Sequence, residues 1–192
     1  MILSVVFNQI NRDIDEEYDP GDLIQWVNRC SDDLTPVAQI QASQSYAITA
    51  TTDVFTFPTT RHRDFVMKVT DSNGCNSFYS PVKLTDTQSK GYVAWGNTFT
   101  LQNGPTGGTI TYYYYQKIAQ MASTDISVEM QIDSEFHDLY ILYGRAQIQF
   151  TEEDQKGNSD REDSMSMYLA RKKEFERHIL IKQATTDAIE VA

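Results

Sequence analysis

The chain has 192 residues, 27 acidic and 16 basic side chains, and a formal net charge of −11. That length suits one domain, or one domain carrying a large insertion. A hydrophobic content of 40 % with 22 % charged residues excludes a wholly disordered chain. The pI near 4.6 excludes a surface built to grip nucleic acid or an anionic membrane, because both need clustered Lys and Arg.

The opening MILSVVFNQINRDIDEE has no basic n-region and no long apolar run, so it does not read as a signal peptide. No stretch approaches the roughly 18 apolar residues of a membrane span. Leu3, Val6, Phe7, Ile10 and Ile14 follow helical spacing and predict a first helix. The acid run Asp13–Asp19 breaks the pattern and reads as a solvated face. Asp19 is placed to cap a second helix, with Pro20 at its first position. Leu23, Ile24, Val27 and Leu34 form its stripe, and Pro36 predicts an end near Leu34.

The middle of the chain reads as strands at Tyr46–Ala50, Val54–Phe57, Phe65–Thr70, Tyr92–Trp95, Thr98–Leu101 and Thr109–Tyr115. Asn73-Gly74 and Gly96-Asn97 are hairpin dipeptides, and Asn103–Gly108 is a loop. Helix returns after a polar linker, Gln116–Ile132. Asp133-Ser134-Glu135 predicts an N-cap and an acidic first turn, followed by a stripe of Phe136, Leu139, Tyr140, Tyr143 and Phe150. A polar loop, Glu152–Ser159, leads to a last helix marked by Met165, Tyr168, Leu169, Phe175 and Ile179. Arg171, Lys172 and Lys173 are assigned to its wet face. Residues 183–192 lack a stripe and read as a flexible tail.

Charge follows the same division. Residues 1–45 hold eight acids against two bases, residues 46–115 four against five, and residues 116–192 fifteen against nine. The expected fold is therefore α+β: residues 1–40 and 116–192 form a helical bundle, and residues 41–115 a β-rich insertion.

A search for chemistry returns little. There is no C-x-x-C and no H-E-x-x-H. Glu135, His137 and Asp138 do not share a helix face, so they read as a charged first turn. His62 and His178 have no partner at ligand spacing and are assigned to the surface. Cys30 falls in a helix and Cys75 after a turn. Two cysteines are too few for a disulfide scaffold and fit a reducing compartment. The Gly-rich segment 104–108 precedes a strand, whereas a phosphate loop must open a helix. Among so many acids a glycosidase-like pair carries no weight, so a carboxylate hydrolase has little support. Tyr112–Tyr115 alternate across a strand, so at most half of these rings can form one platform. The expectation is no catalytic residue, no cofactor and no metal ligand, and hence a structural or binding protein rather than an enzyme.

One order of segments does point to a family. Thr98–Leu101, the Asn103-Gly104-Pro105 turn and Gly108–Tyr115 make a strand, a turn and a tyrosine-ended strand. A linker follows, then Ile132–Leu139 with Tyr143-Gly144-Arg145-Ala146 in the same helix. A final helix, Ser164–Gln183, carries a Tyr168/Arg171/Phe175 face. This succession resembles the head–tail connector, or adaptor, proteins of tailed bacteriophages, well over residues 98–182 and loosely over 1–34. In that family an edge strand ends in a tyrosine pair, and a helix starting like Pro-x-Glu-Phe-His contains Tyr-Gly-Ala. Here Ile132-Asp133 stands where a proline is usual, and Arg145 interrupts the small residues.

The resemblance implies a non-catalytic virion protein at the neck, assembled in the host cytoplasm. Its partners would be the portal protein, about twelve neighbouring copies in a ring, and tail, nozzle or stopper proteins. DNA would pass through without specific contact. Twelve copies would carry a charge on the order of −130, a field that repels passing phosphate. From its position and its lack of a core stripe, the final helix or residues 183–192 are expected to dock on the portal. The alternative is an acidic, β-rich binding module of a phage tail, taking a glycan or a protein through Trp95 and the tyrosine run.

Overall fold

The computed structural model describes residues 1–12, 18–50, 53–86, 88–122, 127–152 and 161–190. Four α-helices and two antiparallel sheets lie among them, a mixed α+β chain. It divides into two compact units, one of Met1–Gln39 with Ile118–Ala192 and one of Ile40–Lys117. No described helix is long and apolar enough to cross a membrane.

The first unit holds the helices. Helix α1 (Leu3–Ile10) buries Leu3, Val6, Phe7 and Ile10, one face at helical spacing. Ile14 lies outside the described residues. In α2 (Pro20–Ala38) the Asp19 carboxylate accepts from Gly21 N at 2.6 Å, with Pro20 in the first turn. Its buried stripe is Leu23, Trp26, Val27, Cys30, Ser31, Leu34, Thr35 and Ala38.

The helix does not stop near Leu34. It runs through Pro36 to Ala38 and closes on Gln39 in the left-handed region, φ 47°. Pro36 lies in the last turn, so only two helical residues follow the backbone bond it removes, and burial of Ala38 holds that turn down.

Asp133 does not cap by its side chain either. It precedes a 3₁₀ turn (Ser134–Phe136) in an extended conformation, without a side-chain bond to that turn. Helix α3 (Asp138–Glu152) follows and packs on α1, α2 and α4. Phe136, Leu139 and Tyr140 are buried and Tyr143 half-buried; the Phe150 side chain lies outside the described set. Residues 153–159 of the expected loop also lie outside it, while Glu152 is the last residue of α3. Helix α4 (Arg161–Glu190) buries Tyr168, Phe175 and Ile179, but leaves Leu169 half exposed. Its backbone stays helical through residues 183–190, the segment set aside as a tail, because propagation needs backbone bonds rather than a stripe.

The second unit holds the strands: β1 (Ile40–Ile48), β2 (Val54–Thr56), β3 (Arg61–Asp71), β4 (Asn76–Tyr79), β5 (Gly91–Trp95), β6 (Thr98–Gln102) and β7 (Gly108–Gln116). One sheet has the order β1-β7-β3-β4 and the other β2-β6-β5. The Asn73-Gly74 turn joins β3 to β4 and Gly96-Asn97 joins β5 to β6, both antiparallel. Asn103–Gly108 links the two sheets rather than closing a hairpin.

Strand β1 starts earlier than its sequence suggests. Ile40–Ser45 is polar and largely exposed, yet each residue is matched with β7, from Ile40↔Gln116 to Ile48↔Gly108. Gly108 has φ +128°, and a Cβ there would lie 2.1 Å from the Thr70 carbonyl oxygen, so only glycine fits. Between the sheets sits an aromatic core. Phe57 and Phe99 lie 4.7 Å apart, Phe57 and Tyr112 5.3 Å, and Phe55 stacks on Phe99 at 5.2 Å.

Candidate functional site

Polar side chains converge at two places, one in each unit. In the strand unit the centre is Asp64. Register shifts between Arg61 and Arg63, and again between Asp64 and Val66, insert extra residues into β3. The second turns Phe65 outward against Tyr115 and brings Asp64 opposite the buried Tyr114. The Asp64 carboxylate then accepts from the hydroxyls of Tyr112 and, at 3.1 Å, Tyr92. It also pairs with Arg61 at 3.1 Å, whose guanidinium lies 3.8 Å over the Phe57 ring. Burial and the neighbouring carboxylate raise both tyrosines above the ordinary 10.0. Tyr92 belongs to one sheet and Tyr112 to the other, so Asp64 clamps them together.

The other three acids of this unit hold turns. Asp53 accepts from the backbone of Thr49 and Ala50, Asp71 from Asn73 and Cys75, and Asp86 from Gln88 and Ser89. Tyr112 and Tyr114 are buried while Tyr113 and Tyr115 alternate outward, so the tyrosine run is half core, as its spacing requires. Trp95 (77 % exposed) and Phe78 (71 % exposed) stand on the unit's surface.

In the helical unit the centre is the inner side of α4. Arg171 and Lys172 are not on a wet face. Arg171 Nε donates to Asp138 at 2.9 Å, its Nη1 to Glu174 at 2.6 Å and its Nη2 to the Glu135 carbonyl oxygen at 2.6 Å. Lys172 donates to Asp33 on α2 at 2.8 Å, and the Tyr168 hydroxyl donates to the same carboxylate. Burial pushes Asp33 up, but these bonds outweigh it and hold the carboxyl below its ordinary value. Lys173 is exposed. The sequence hid this because both acids come from distant segments.

The group of Glu135, His137 and Asp138 is dispersed. His137 is buried; its Nε2–H donates to the Ile132 carbonyl oxygen at 2.8 Å, leaving Nδ1 to accept from the Met1 amine at 2.6 Å. Asp138 faces Arg171. His178 is not a lone surface histidine. Its Nε2 lies 2.9 Å from Asp133 and its Nδ1 3.3 Å from Glu135, while Lys182 reaches Asp133 at 3.0 Å. The only spacing clue was periodicity along α4, where Phe175, His178, Ile179 and Lys182 share a side. Cys30 is buried, which pushes its thiol up and makes it inert packing; Cys75 is exposed.

A protein-family model described as SU10 adaptor protein matches residues 1–188. No curated protein matches the chain. Among solved structures, one similar chain comes from the neck of an empty GTA particle computed with C6 symmetry. It is 11 % identical, with 88 % of each chain covered and a TM-score of 0.30. Another comes from the neck of a native GTA particle computed with C12 symmetry. It is also 11 % identical, covering 88 % of this chain and 91 % of the other, with a TM-score of 0.28.

Proposed function

The chain belongs to the SU10 adaptor protein family, and from that premise we propose that it is a ring-forming structural subunit at the neck of a tailed phage. It joins the portal protein to tail, nozzle or stopper proteins and extends the DNA channel. The observation that carries this reading is the family match across residues 1–188. The segment order that resembles head–tail connectors agrees with it. In this reading the helices act as a bundle, the strand unit is its insertion, and about twelve copies close the ring on a twelve-fold portal.

The charge distribution suits such a role. The helical unit carries 23 acids against ten bases, and the strand unit four against six. An acidic ring wall repels phosphate, so DNA passes without being held. Residues 183–192 are proposed to contribute to portal docking.

Electron microscopy or native mass spectrometry of the protein mixed with its portal tests the reading. A ring on the portal is expected; a monomer that ignores the portal overturns it. A chain lacking residues 183–192 that binds the portal unchanged removes the docking role from that segment. The exposed Trp95 favours a second reading, an acidic binding module of a tail. A glycan array gives hits for it and none for the ring adaptor.

A further inference from the structure

We propose that Asp133, Glu135 and His178 form a binding site for a divalent transition-metal ion of the zinc class, fastening α4 to the turn that precedes α3. Each residue brings one ligand atom within 4.8 Å of the other two. An imidazole with two carboxylates suits zinc; magnesium and calcium prefer all-oxygen sets. The Asp133 oxygen lies 2.9 Å from the ring's Nε2, and the Glu135 oxygen 3.3 Å from the other ring nitrogen, Nδ1.

The local backbone presents these ligands together. Asp133 sits where an N-cap belongs, yet its carboxylate leaves the turn and faces α4. The Phe136 ring packs 5.1 Å from the His178 ring and limits its tilt. The three side chains are between 33 % and 59 % exposed, so an ion can enter and keep water on its open positions.

A cation already uses this place. The Lys182 ammonium lies 3.0 Å and 3.2 Å from the two Asp133 oxygens, on a side chain that is 60 % exposed. Metal binding replaces that ammonium, which swings to solvent at little cost. Arg171 remains on the Glu135 carbonyl oxygen and Asp138, so the turn keeps its position. Only one ring nitrogen can take the ion. The ring now meets Asp133 through Nε2 and Glu135 through Nδ1, so closing the site requires one carboxylate to swing across.

Calorimetry and thermal melting of the full chain with zinc chloride test this, with magnesium chloride as the control. Saturable one-to-one zinc binding that raises Tm is expected, with no effect of magnesium. Lys182→Met should tighten binding about three- to tenfold by removing the competing ammonium. His178→Gln should weaken it at least about tenfold. Glu135→Gln, which leaves the His178–Asp133 contact in place, should also weaken it and serves if the histidine variant fails to fold. Heats equal to dilution in both wild type and Lys182→Met overturn the proposal. So does zinc binding unchanged by Glu135→Gln and His178→Gln, which would place the ion elsewhere.

Discussion

Asp64 is a carboxylate set beside an apolar aromatic core, and three donors share it: the Tyr92 and Tyr112 hydroxyls and Arg61. Asp64→Ala leaves the two hydroxyls without their acceptor. It should cost about 1–3 kcal/mol, read as a lower urea midpoint at unchanged slope. Tyr112→Phe should cost less, because Asp64 keeps its other two donors. Asp33 and Asp133 govern the acid side. Burial opposes ionisation of each, but bonds from Lys172 and Tyr168, and from Lys182 and His178, hold both below the ordinary 3.8. Their contribution is therefore intact above 3.8 and is lost as pH falls through the lower folded values. Asp33→Asn should flatten the decline in stability below about pH 4, measured by urea unfolding at each pH. Neither Asp64 nor Asp33 stood out in the sequence. Asp64 turns inward only because β3 carries a bulge, and Asp33 meets Lys172 and the Tyr168 hydroxyl across more than a hundred residues.

Within the elements, Gly144 shows what a motif letter means physically. It sits in α3 where α1 crosses, and a Cβ there would lie 2.5 Å from Ile10 Cδ1 and 2.9 Å from its Cγ1. Gly144→Ala gains helix propensity but overpacks a stiff, fully buried isoleucine, for a net loss of about 1 kcal/mol. Ile10→Val removes Cδ1, so the double variant should melt above Gly144→Ala alone; equal melting temperatures would refute the packing account. The helices were legible where one face is apolar: Leu3/Val6/Phe7/Ile10, and the Asp19-Pro20 entry of α2. They were misread where tertiary contact overrides local preference. Pro36 is carried inside α2, Leu169 is left outside the core, and the Arg171 and Lys172 heads turn inward. Strand β4, Asn76–Tyr79, was missed because it opens on polar Asn76 and Ser77 and exposes Phe78. The polar start of β1 was missed because its pairing with β7, not its own side chains, makes it a strand.

Across the whole chain, the division into helical ends and a strand-rich middle was readable from composition and charge, since helix formers and acids cluster together. The pairing order of seven short strands was not, because register is set by partners far apart in sequence. The strand unit enters and leaves at one point. Ile40 is matched with Gln116, and Ile118 N donates to Thr35 Oγ1 at 3.2 Å at the other unit's end of the connection. Replacing residues 40–117 by a short Gly-Ser linker should therefore leave a helical unit whose circular dichroism keeps the minima of α1–α4. Loss of helicity would refute its independence.

That shared doorway also decides how the unit answers to force. Tension applied between Gln39 and Ile118 reaches β1 and β7 at the same end of an antiparallel pair. The inter-strand bonds then carry the load one after another, like the teeth of a zipper, instead of sharing it along their length. Loaded from that end, the strand unit opens by peeling rather than by shearing. Pulled in an optical trap from those two residues, it should peel open from the Ile40–Gln116 pair in small steps at low force; a single high-force rupture would refute this.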